Sequence, residues 1–296
     1  MKTIEKRTGT FTSFDNTEIY YEVRGQGRPL VFAYGIGCLI NHWHFQIEAL
    51  SHNYQTIVFD YRAHHKSGSP DDLNNLTTEA IAKDMLLLLD HLEIKSAAFL
   101  AHSFGGQVLV KGHQLDPKRF DLMIFVNGFA SNPIVDMYGS NFSEKLFHKI
   151  KNGFEALPST VSYLWKIVVD NPIAARVSAL AGGFNFHLTK FNDIEIYLKG
   201  ISSISLEAFL FLFEDMMNFD GRDHLDKIKI PVLIIGGEKD SITPLSYQHE
   251  MEQKLEKSEF LAIPYGSHCT QLDFPDYVNL RIEKFLIEHE YLKLNV

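Results

Sequence analysis

Residues 97–106 have the sequence AAFLAHSFGG. Its apolar and small residues predict a buried strand, and residues 104–115 have the spacing of a helix. Ser103 lies at the junction, with the small residues Ala101 and Gly105 two positions away on either side. A sharp strand-to-helix turn needs small residues at both places, because larger side chains would collide with the neighbouring strand and helix. The pattern predicts a nucleophile elbow that keeps the Ser103 hydroxyl clear of a sheet.

On both sides of this stretch, strand-like apolar runs alternate with helical patterns. The predicted strands are residues 11–14, 19–24, 29–34, 55–60, 96–101, 121–126, 229–235 and 260–264. Such alternation is typical of a mostly parallel sheet that is flanked by helices on both faces. We therefore expect an α/β fold, with residues 1–130 and 221–296 forming one core.

Strand patterns stop between residues 131 and 220, where helical segments rich in aromatic residues follow one another. This change predicts a helical cap, inserted after the sixth strand, that serves as a substrate-binding lid. A cap must bury one face against the core whatever it binds, so packing explains most of the aromatic content. The remainder favours an apolar acyl or alkyl substrate.

Composition narrows the functional classes. The chain has 45% hydrophobic and 22% charged residues, which excludes a disordered polar tail. A net charge of −9 and the lack of a long basic run argue against a nucleic-acid partner. The longest apolar runs, such as residues 208–213, are far shorter than the roughly 20 residues that cross a bilayer. With only two cysteines and no apolar stretch behind the N-terminal basic residues, we expect a cytoplasmic protein.

Two further residues follow predicted strands. Asp240 comes just after the strand at 229–235, and His268 is in the loop after the strand at 260–264. Polar residues past the carboxyl ends of parallel strands meet at one edge of a sheet, where such folds build their sites. The chain order Ser103, Asp240, His268 is that of the α/β-hydrolases. Glu238, two residues before Asp240, is the competing carboxylate.

The chain resembles the α/β-hydrolase fold superfamily, and specifically its serine hydrolases with a helical cap, over nearly all of its length. Residues 31–36 match the strand and turn that supply an oxyanion-hole amide in that family. Residues 60–67 match its Asp-x-Arg-Gly-x-Gly-x-Ser loop, and residues 264–268 with 273–275 match its histidine loop and closing helix. The chain departs from the family where Tyr34 replaces a histidine and where Ala101 replaces the first elbow glycine. Two loop glycines are also replaced, by Ala63 and His65.

In such an enzyme Ser103 is the nucleophile, His268 the general base and Asp240 the residue that orients the imidazole. The backbone amides of Ile36 and Phe104 would form the oxyanion hole. The residues that we expect to contact substrate are Tyr34, Phe129, Trp165 and Phe213.

These residues predict hydrolysis of a carboxylic ester, or of a thioester or lactone, through an acyl-enzyme. A ligand receptor with slow or absent turnover and a cofactor-free perhydrolase are the alternatives. We expect a small apolar ester as substrate and leave the oligomeric state open. No cofactor is expected: residues 34–40 resemble a dinucleotide-binding turn, but Ile40 stands where a small residue is needed.

A metal is not expected either, because the histidine pairs at 42 and 44 and at 64 and 65 lack a third ligand at zinc spacing. Cys38 and Cys269 follow residues of the candidate site. They are expected to be packing thiols, with a redox role left open.

Overall fold

The computed structural model describes residues 4–169, 171, 183–185 and 187–292. Its strands are β1 Lys6–Thr12, β2 Glu18–Arg24, β3 Pro29–Ala33, β4 Gln55–Phe59, β5 Ala97–His102, β6 Phe120–Val126, β7 Val232–Gly237 and β8 Ser258–Ile263. Its α-helices are α1 His44–Leu50, α2 Thr78–His91, α3 Gly105–Leu115, α4 Phe142–Ala156, α5 Pro158–Val169, α6 Phe191–Ser203, α7 Leu206–Asn218, α8 Leu245–Lys254, α9 Thr270–Asp273 and α10 Pro275–Glu288.

The strands form one sheet in the order β1-β2-β4-β3-β5-β6-β7-β8. β2 pairs antiparallel with both β1 and β4, whereas all pairings from β4 through β8 are parallel. Helices flank the sheet, with α2 packed against α3 and α1 against α10. The predicted α/β architecture is confirmed.

The centre of the sheet consists of long apolar runs, because a parallel sheet covered by helices buries both faces of its strands. Every residue of β5 and of β7 is buried. The carboxyl ends of β5, β6, β7 and β8 lie along one edge of the sheet, since these four strands are parallel neighbours. Any polar residue that directly follows one of these strands is therefore placed at the same edge.

The first strand begins earlier than the sequence predicts. β1 runs from residue 6 instead of residue 11, and most of its side chains are exposed. As an edge strand with polar residues on both faces, it lacks the apolar alternation that marks a half-buried strand. A turn at Asp15 and Asn16 joins β1 to β2: Asn16 has φ +67°, and the Asp15 carboxylate accepts the Thr17 N–H at 3.3 Å.

Helices α4 to α7 lie between β6 and β7, in the region where the sequence predicts an inserted cap. Residues 170, 172–182 and 186 of that region are outside the described residues. Helix α7 buries Leu206, Ala208, Leu210, Leu212 and Met216 and packs against α2 of the core. Among the described helices, none is long and apolar enough by itself to cross a membrane. The α6–α7 pair, bent by 99°, reaches the required length and composition only when the two are taken together.

Candidate active site

Ser103 lies in the turn between β5 and α3 with a left-handed φ of +54°. The turn is fixed by the Ser103 N–H, which donates to the Val126 carbonyl at 3.2 Å, and by the Gly106 N–H, which donates to the Ser103 carbonyl at 2.8 Å. A β-carbon on Gly105 would lie 2.8 Å from the backbone oxygen of Ala33, so this position requires glycine. The elbow thus has the geometry that the small flanking residues predict.

Three side chains that are far apart in the sequence meet at this elbow. His268 Nε2 is 2.9 Å from Ser103 Oγ, and His268 Nδ1 is 3.0 Å from Asp240 Oδ2. All three residues are buried, with 8%, 3% and 6% exposure for Ser103, His268 and Asp240. Glu238 is exposed, so Asp240 is the carboxylate at the imidazole. With a proton on Nδ1, His268 can accept the Ser103 hydroxyl proton on Nε2.

The Asp240 carboxylate is surrounded by hydrogen-bond donors. Oδ1 accepts the backbone N–H groups of Ile242 at 2.9 Å and Thr243 at 2.8 Å. Oδ2 accepts Asn127 Nδ2 and Thr243 Oγ1, both at 2.7 Å, besides His268 Nδ1. Donors of this kind stabilise the ionised form of a carboxylate. Sequence reasoning missed both side chains, although Asn127 directly follows β6 and could have been found by its place after a parallel strand.

The loop after β3 approaches the serine from the other side. A β-carbon on Gly35 would lie 3.2 Å from the Ser103 Cβ. The Gly37 N–H donates to His64 Nε2 at 3.1 Å, and the Cys38 N–H donates to the Gly35 carbonyl at 3.0 Å. Within the described part of the chain, the N–H groups of Ile36 and Phe104 donate to no protein acceptor. An oxyanion role for these two amides stays a prediction.

Two more imidazoles lie behind His268. The His102 ring is 4.8 Å from the His268 ring, and its Nε2–H donates to the His268 carbonyl at 2.9 Å. The His42 ring lies 4.5 Å from that of His102. Burial lowers the pKa of His42 to about 3 and moves the pKa of His102 well below its ordinary value. Both rings are therefore neutral near pH 7.

Hydrogen bonds also connect the histidine loop, residues 264–268, to the inserted region. The Asp273 carboxylate accepts the backbone N–H and the hydroxyl of Ser267, both at 2.6 Å. Its other oxygen accepts the Thr189 hydroxyl and the Asn185 N–H. Burial raises the pKa of Asp273, an effect that these four hydrogen bonds oppose. Ser267, which directly precedes His268, and Thr189, which precedes α6, therefore bind the same Asp273 carboxylate.

The four predicted substrate contacts lie in different surroundings. Tyr34 is fully buried, and its hydroxyl accepts the Tyr61 N–H at 2.8 Å, so it packs in the core beside the candidate site. Phe129, which follows β6, is 1% exposed.

Trp165 and Phe213 belong to the inserted helices. The Trp165 ring packs 5.3 Å from Phe209, and Phe213 stacks on Phe147 at 5.1 Å. Trp165 also lines a cleft of about 630 Å³ between the inserted helices, whose lining includes none of the three candidate catalytic residues. Contact of any of these four side chains with a substrate stays a prediction.

Protein-family models match two parts of the chain. A family model described as alpha/beta hydrolase fold matches residues 28–163, and a second, described as TAP-like protein, matches residues 217–291. The first match and the solved structures most like this chain agree on the fold: the chain has the α/β-hydrolase fold. Relatives and solved structures that are similar to it are named hydrolases, lactonases and esterases.

Particular relatives share most of the chain at low identity. One from Azorhizobium caulinodans, named "Putative carbamate hydrolase RutD", is 24% identical over 89% of this chain and 93% of its own. The 3-oxoadipate enol-lactonase 2 of Acinetobacter baylyi is 25% identical over 93% and 94% of the two chains. The crystal structure of a bromoperoxidase from Bacillus anthracis has a TM-score of 0.78 at 21% identity, covering 95% of this chain and 100% of that one. At that identity the structural likeness shows the fold alone.

Proposed function

We propose that this protein is a serine hydrolase that cleaves a carboxylic ester, or a thioester or lactone, of a small apolar substrate through an acyl-enzyme. The observation that carries the proposal is the 2.9 Å contact between Ser103 Oγ and His268 Nε2 at a strained elbow. A serine hydroxyl is a weak nucleophile until a neighbouring base takes its proton. The structure supports this pairing because the base is held in the required tautomer by Asp240 at 3.0 Å.

In the proposed reaction, Ser103 Oγ attacks the carbonyl carbon while His268 Nε2 takes the hydroxyl proton. His268 then gives this proton to the leaving alcohol or thiol, and the C–O or C–S bond breaks to leave the acyl group on Ser103. A water molecule, deprotonated by the same imidazole, attacks the acyl-enzyme and releases the acid. Asp240 orients the imidazole throughout and stabilises the imidazolium.

The negative oxygen of each tetrahedral intermediate would accept the N–H groups of Ile36 and Phe104. The proposal is supported by the close approach of the Gly35 turn to Ser103 and by the lack of another acceptor for these amides in the described residues. Each such donor contributes roughly 3 kcal/mol of transition-state stabilisation.

Two observations support an apolar acyl compound as the substrate. Aromatic side chains of the inserted helices, such as Trp165, Phe209 and Phe213, stack on one another beside the core. Two relatives are named for a lactone and for a carbamate, and both kinds of molecule present a carbonyl carbon to a nucleophile. We therefore favour an apolar acyl compound over a polar or phosphorylated one.

The proposal is tested with a series of nitrophenyl esters of increasing chain length and with a fluorophosphonate label. Ser103→Ala is expected to lower kcat by about 10⁶-fold and to abolish labelling, because the nucleophile of a triad is lost. Ser51→Ala is the matched control, since Ser51 is a buried serine at the end of α1 and should leave turnover unchanged.

Turnover by Ser103→Ala at the wild-type rate would refute the serine mechanism. Rapid labelling of Ser103 without turnover of any ester would favour the alternative, a ligand receptor on the same scaffold. Faster turnover of short polar esters than of long ones would contradict the apolar substrate only.

A further inference from the structure

A second cluster of reactive side chains lies beneath the elbow. The donor atoms of Cys38, His42 and His102 all lie within 4.8 Å of one another. Cys38 is in the loop after β3, His42 in the 3₁₀-helix Ile40–Trp43, and His102 is the last residue of β5. Their exposures are 0%, 3% and 0%, so the cluster is closed to bulk water. The proposed hydrolysis uses none of the three as acid, base or nucleophile.

Hydrogen bonds orient the His102 ring toward Cys38. Its Nε2–H is engaged by the His268 carbonyl at 2.9 Å, which fixes the lone pair on Nδ1. Among the described residues this Nδ1 has no hydrogen-bond partner, although it is completely buried. A β-carbon placed on Gly35 would lie 3.3 Å from this Nδ1 and 3.2 Å from Cys38 Sγ, so the nitrogen and the sulfur border the same small space.

The His42 ring is held in the same manner. Its Nε2 lies 2.5 Å from the Gln271 amide nitrogen, while Gln271 Oε1 has no partner in the described part of the chain. Exchanging the oxygen and nitrogen of that amide brings the oxygen to the imidazole, so that His42 Nε2–H donates to Gln271 Oε1. Both imidazoles are then fixed through Nε2 and can offer Nδ1. Metal-binding histidines characteristically have such outer hydrogen bonds.

We propose that Cys38, His42 and His102 form a binding site for a soft monovalent cation, of which Cu⁺ is the biological example. Thiolate and imidazole are the ligands that such an ion prefers, whereas Mg²⁺ and Ca²⁺ prefer oxygen. One thiolate and two neutral imidazoles give a neutral complex with a monovalent ion. A divalent ion would leave a net positive charge in a closed apolar site, and an uncompensated buried charge is costly.

Binding involves no change of oxidation state. The Cys38 thiol loses its proton to solvent, one Cu–S bond and two Cu–N bonds form, and one proton is released for each ion bound. The site is distinct from the triad in its donor atoms and does not depend on Ser103 being a nucleophile. A result at this site therefore bears on neither the hydrolytic proposal nor its failure.

The test is a competition for Cu⁺ between the full chain, stripped of metal and kept without oxygen, and a chromogenic Cu⁺ chelator. The wild type is expected to withdraw one equivalent of Cu⁺ per chain. Cys38→Ser should lower the affinity by at least about 100-fold, because it removes the only anionic ligand. Cys269→Ser is the matched control: Cys269 is also fully buried, lies outside the cluster, and should leave Cu⁺ binding unchanged.

X-ray absorption at the copper edge of the loaded wild type gives a second measurement that needs no variant. One sulfur and two nitrogen neighbours are expected, so the proposal stays testable if Cys38→Ser does not fold. No withdrawal of Cu⁺ by the wild type, unchanged binding by a folded Cys38→Ser, or a copper without a sulfur neighbour would each overturn the site. Zn²⁺ that displaces Cu⁺ at equal concentration would overturn the assignment to a monovalent ion.

Discussion

At the scale of single residues, Thr243 connects the acid and the base of the candidate site. Its hydroxyl lies 2.7 Å from Asp240 Oδ2 and 3.1 Å from His268 Nδ1, while its backbone N–H donates to Asp240 Oδ1 at 2.8 Å. The backbone bond is available to any residue except proline at this position, so the side chain can be tested separately. We regard Thr243 as a positioning residue, because it touches Asp240 and His268 and acts through them.

Thr243→Val replaces the hydroxyl by a methyl group of similar size. Loss of a hydrogen bond to a charged group corresponds to about 1.5–3 kcal/mol. We therefore expect kcat to fall by about 10- to 100-fold with little change in KM, because the bond aligns the imidazole and not the substrate. Steady-state kinetics on one ester measures kcat and KM separately. Thr243→Ser should retain most of kcat; an unchanged kcat in Thr243→Val together with a loss in Thr243→Ser would show that the methyl packing matters and not the hydroxyl.

Asp60 is a buried carboxyl group beside the site, and its burial raises its pKa from 3.8 to about 7. The hydrogen bonds from the Lys66 N–H and the Tyr34 hydroxyl, both at 3.4 Å, are too long to offset this effect. The folded protein therefore keeps Asp60 protonated in a range where the unfolded chain has lost the proton. A raised pKa of this kind favours folding below pH 4 and ceases to do so as the pH rises to about 7.

Asp60→Asn removes this dependence of the unfolding free energy on pH. Between pH 4 and pH 7 the wild type should lose up to about 4 kcal/mol of unfolding free energy relative to the variant, since each pKa unit corresponds to 1.36 kcal/mol. Urea unfolding at several pH values measures the difference. Asp71→Asn, at an exposed carboxylate, is the control and should parallel the wild type. A constant difference in unfolding free energy between the wild type and Asp60→Asn from pH 4 to pH 7 would contradict the expected titration.

At the scale of elements, the β5–α3 junction depends on a close approach between α3 and β3. The β-carbon of an alanine at position 105 would lie 2.8 Å from Ala33 O and 2.9 Å from Ala33 C. Both atoms are backbone of a central strand and cannot give way as a side chain would. At Gly153 in α4 the corresponding β-carbon would meet only Val161 Cγ2, at 3.7 Å.

Gly105→Ala and Gly153→Ala are therefore expected to have opposite effects. The first should lower the unfolding free energy by roughly 2–3 kcal/mol and displace Ser103, as overpacking does. The second should raise it by up to about 1 kcal/mol, because alanine is the better helix former. Thermal and urea unfolding measure both. Similar stability of the two variants would show that the elbow is looser than the distances imply.

The same junction shows what could be predicted from sequence. The apolar run of β5, the small residues around Ser103 and the strand patterns before Asp240 and His268 are local features, and they placed all three residues at one sheet edge. The contacts of Thr243 with His268 and of Asn127 with Asp240 are not local, because they depend on how the loops after β6, β7 and β8 meet. Neither spacing nor periodicity carries that information.

Tyr34 illustrates a related limit. Its position after a strand predicts a place near the site, but not the direction of its side chain. That direction is set by Tyr61, whose N–H donates to the Tyr34 hydroxyl and whose own hydroxyl donates to the Tyr34 carbonyl at 2.9 Å. Likewise, Cys38, His42 and His102 come from three segments, and only the packing of the loop after β3 against β5 brings them together.

At the scale of the whole molecule, two carboxylates join the inserted helices to the core. Asp273 shares its oxygens between Ser267 of the histidine loop and Thr189 of the insert. Asp215 of α7 accepts the Thr78 backbone N–H at 2.7 Å and the Thr78 hydroxyl at 2.6 Å. Since Thr78 begins α2, the second contact places a negative charge at the positive end of a core helix. These two carboxylates thus attach the insert at separate places, one at the histidine loop and one at the start of α2.

Asp215→Ala should lower the unfolding free energy by about 1–3 kcal/mol, because it leaves the Thr78 groups without their acceptor. It should also speed cleavage of the insert by a protease at low concentration, since α7 is then less firmly attached to α2. Asp220→Ala is the control: Asp220 pairs with Arg222 on the surface, where an ion pair contributes under about 1 kcal/mol. If both variants were cleaved at the wild-type rate, apolar packing of α7, and not Asp215, would be what attaches the insert to the core.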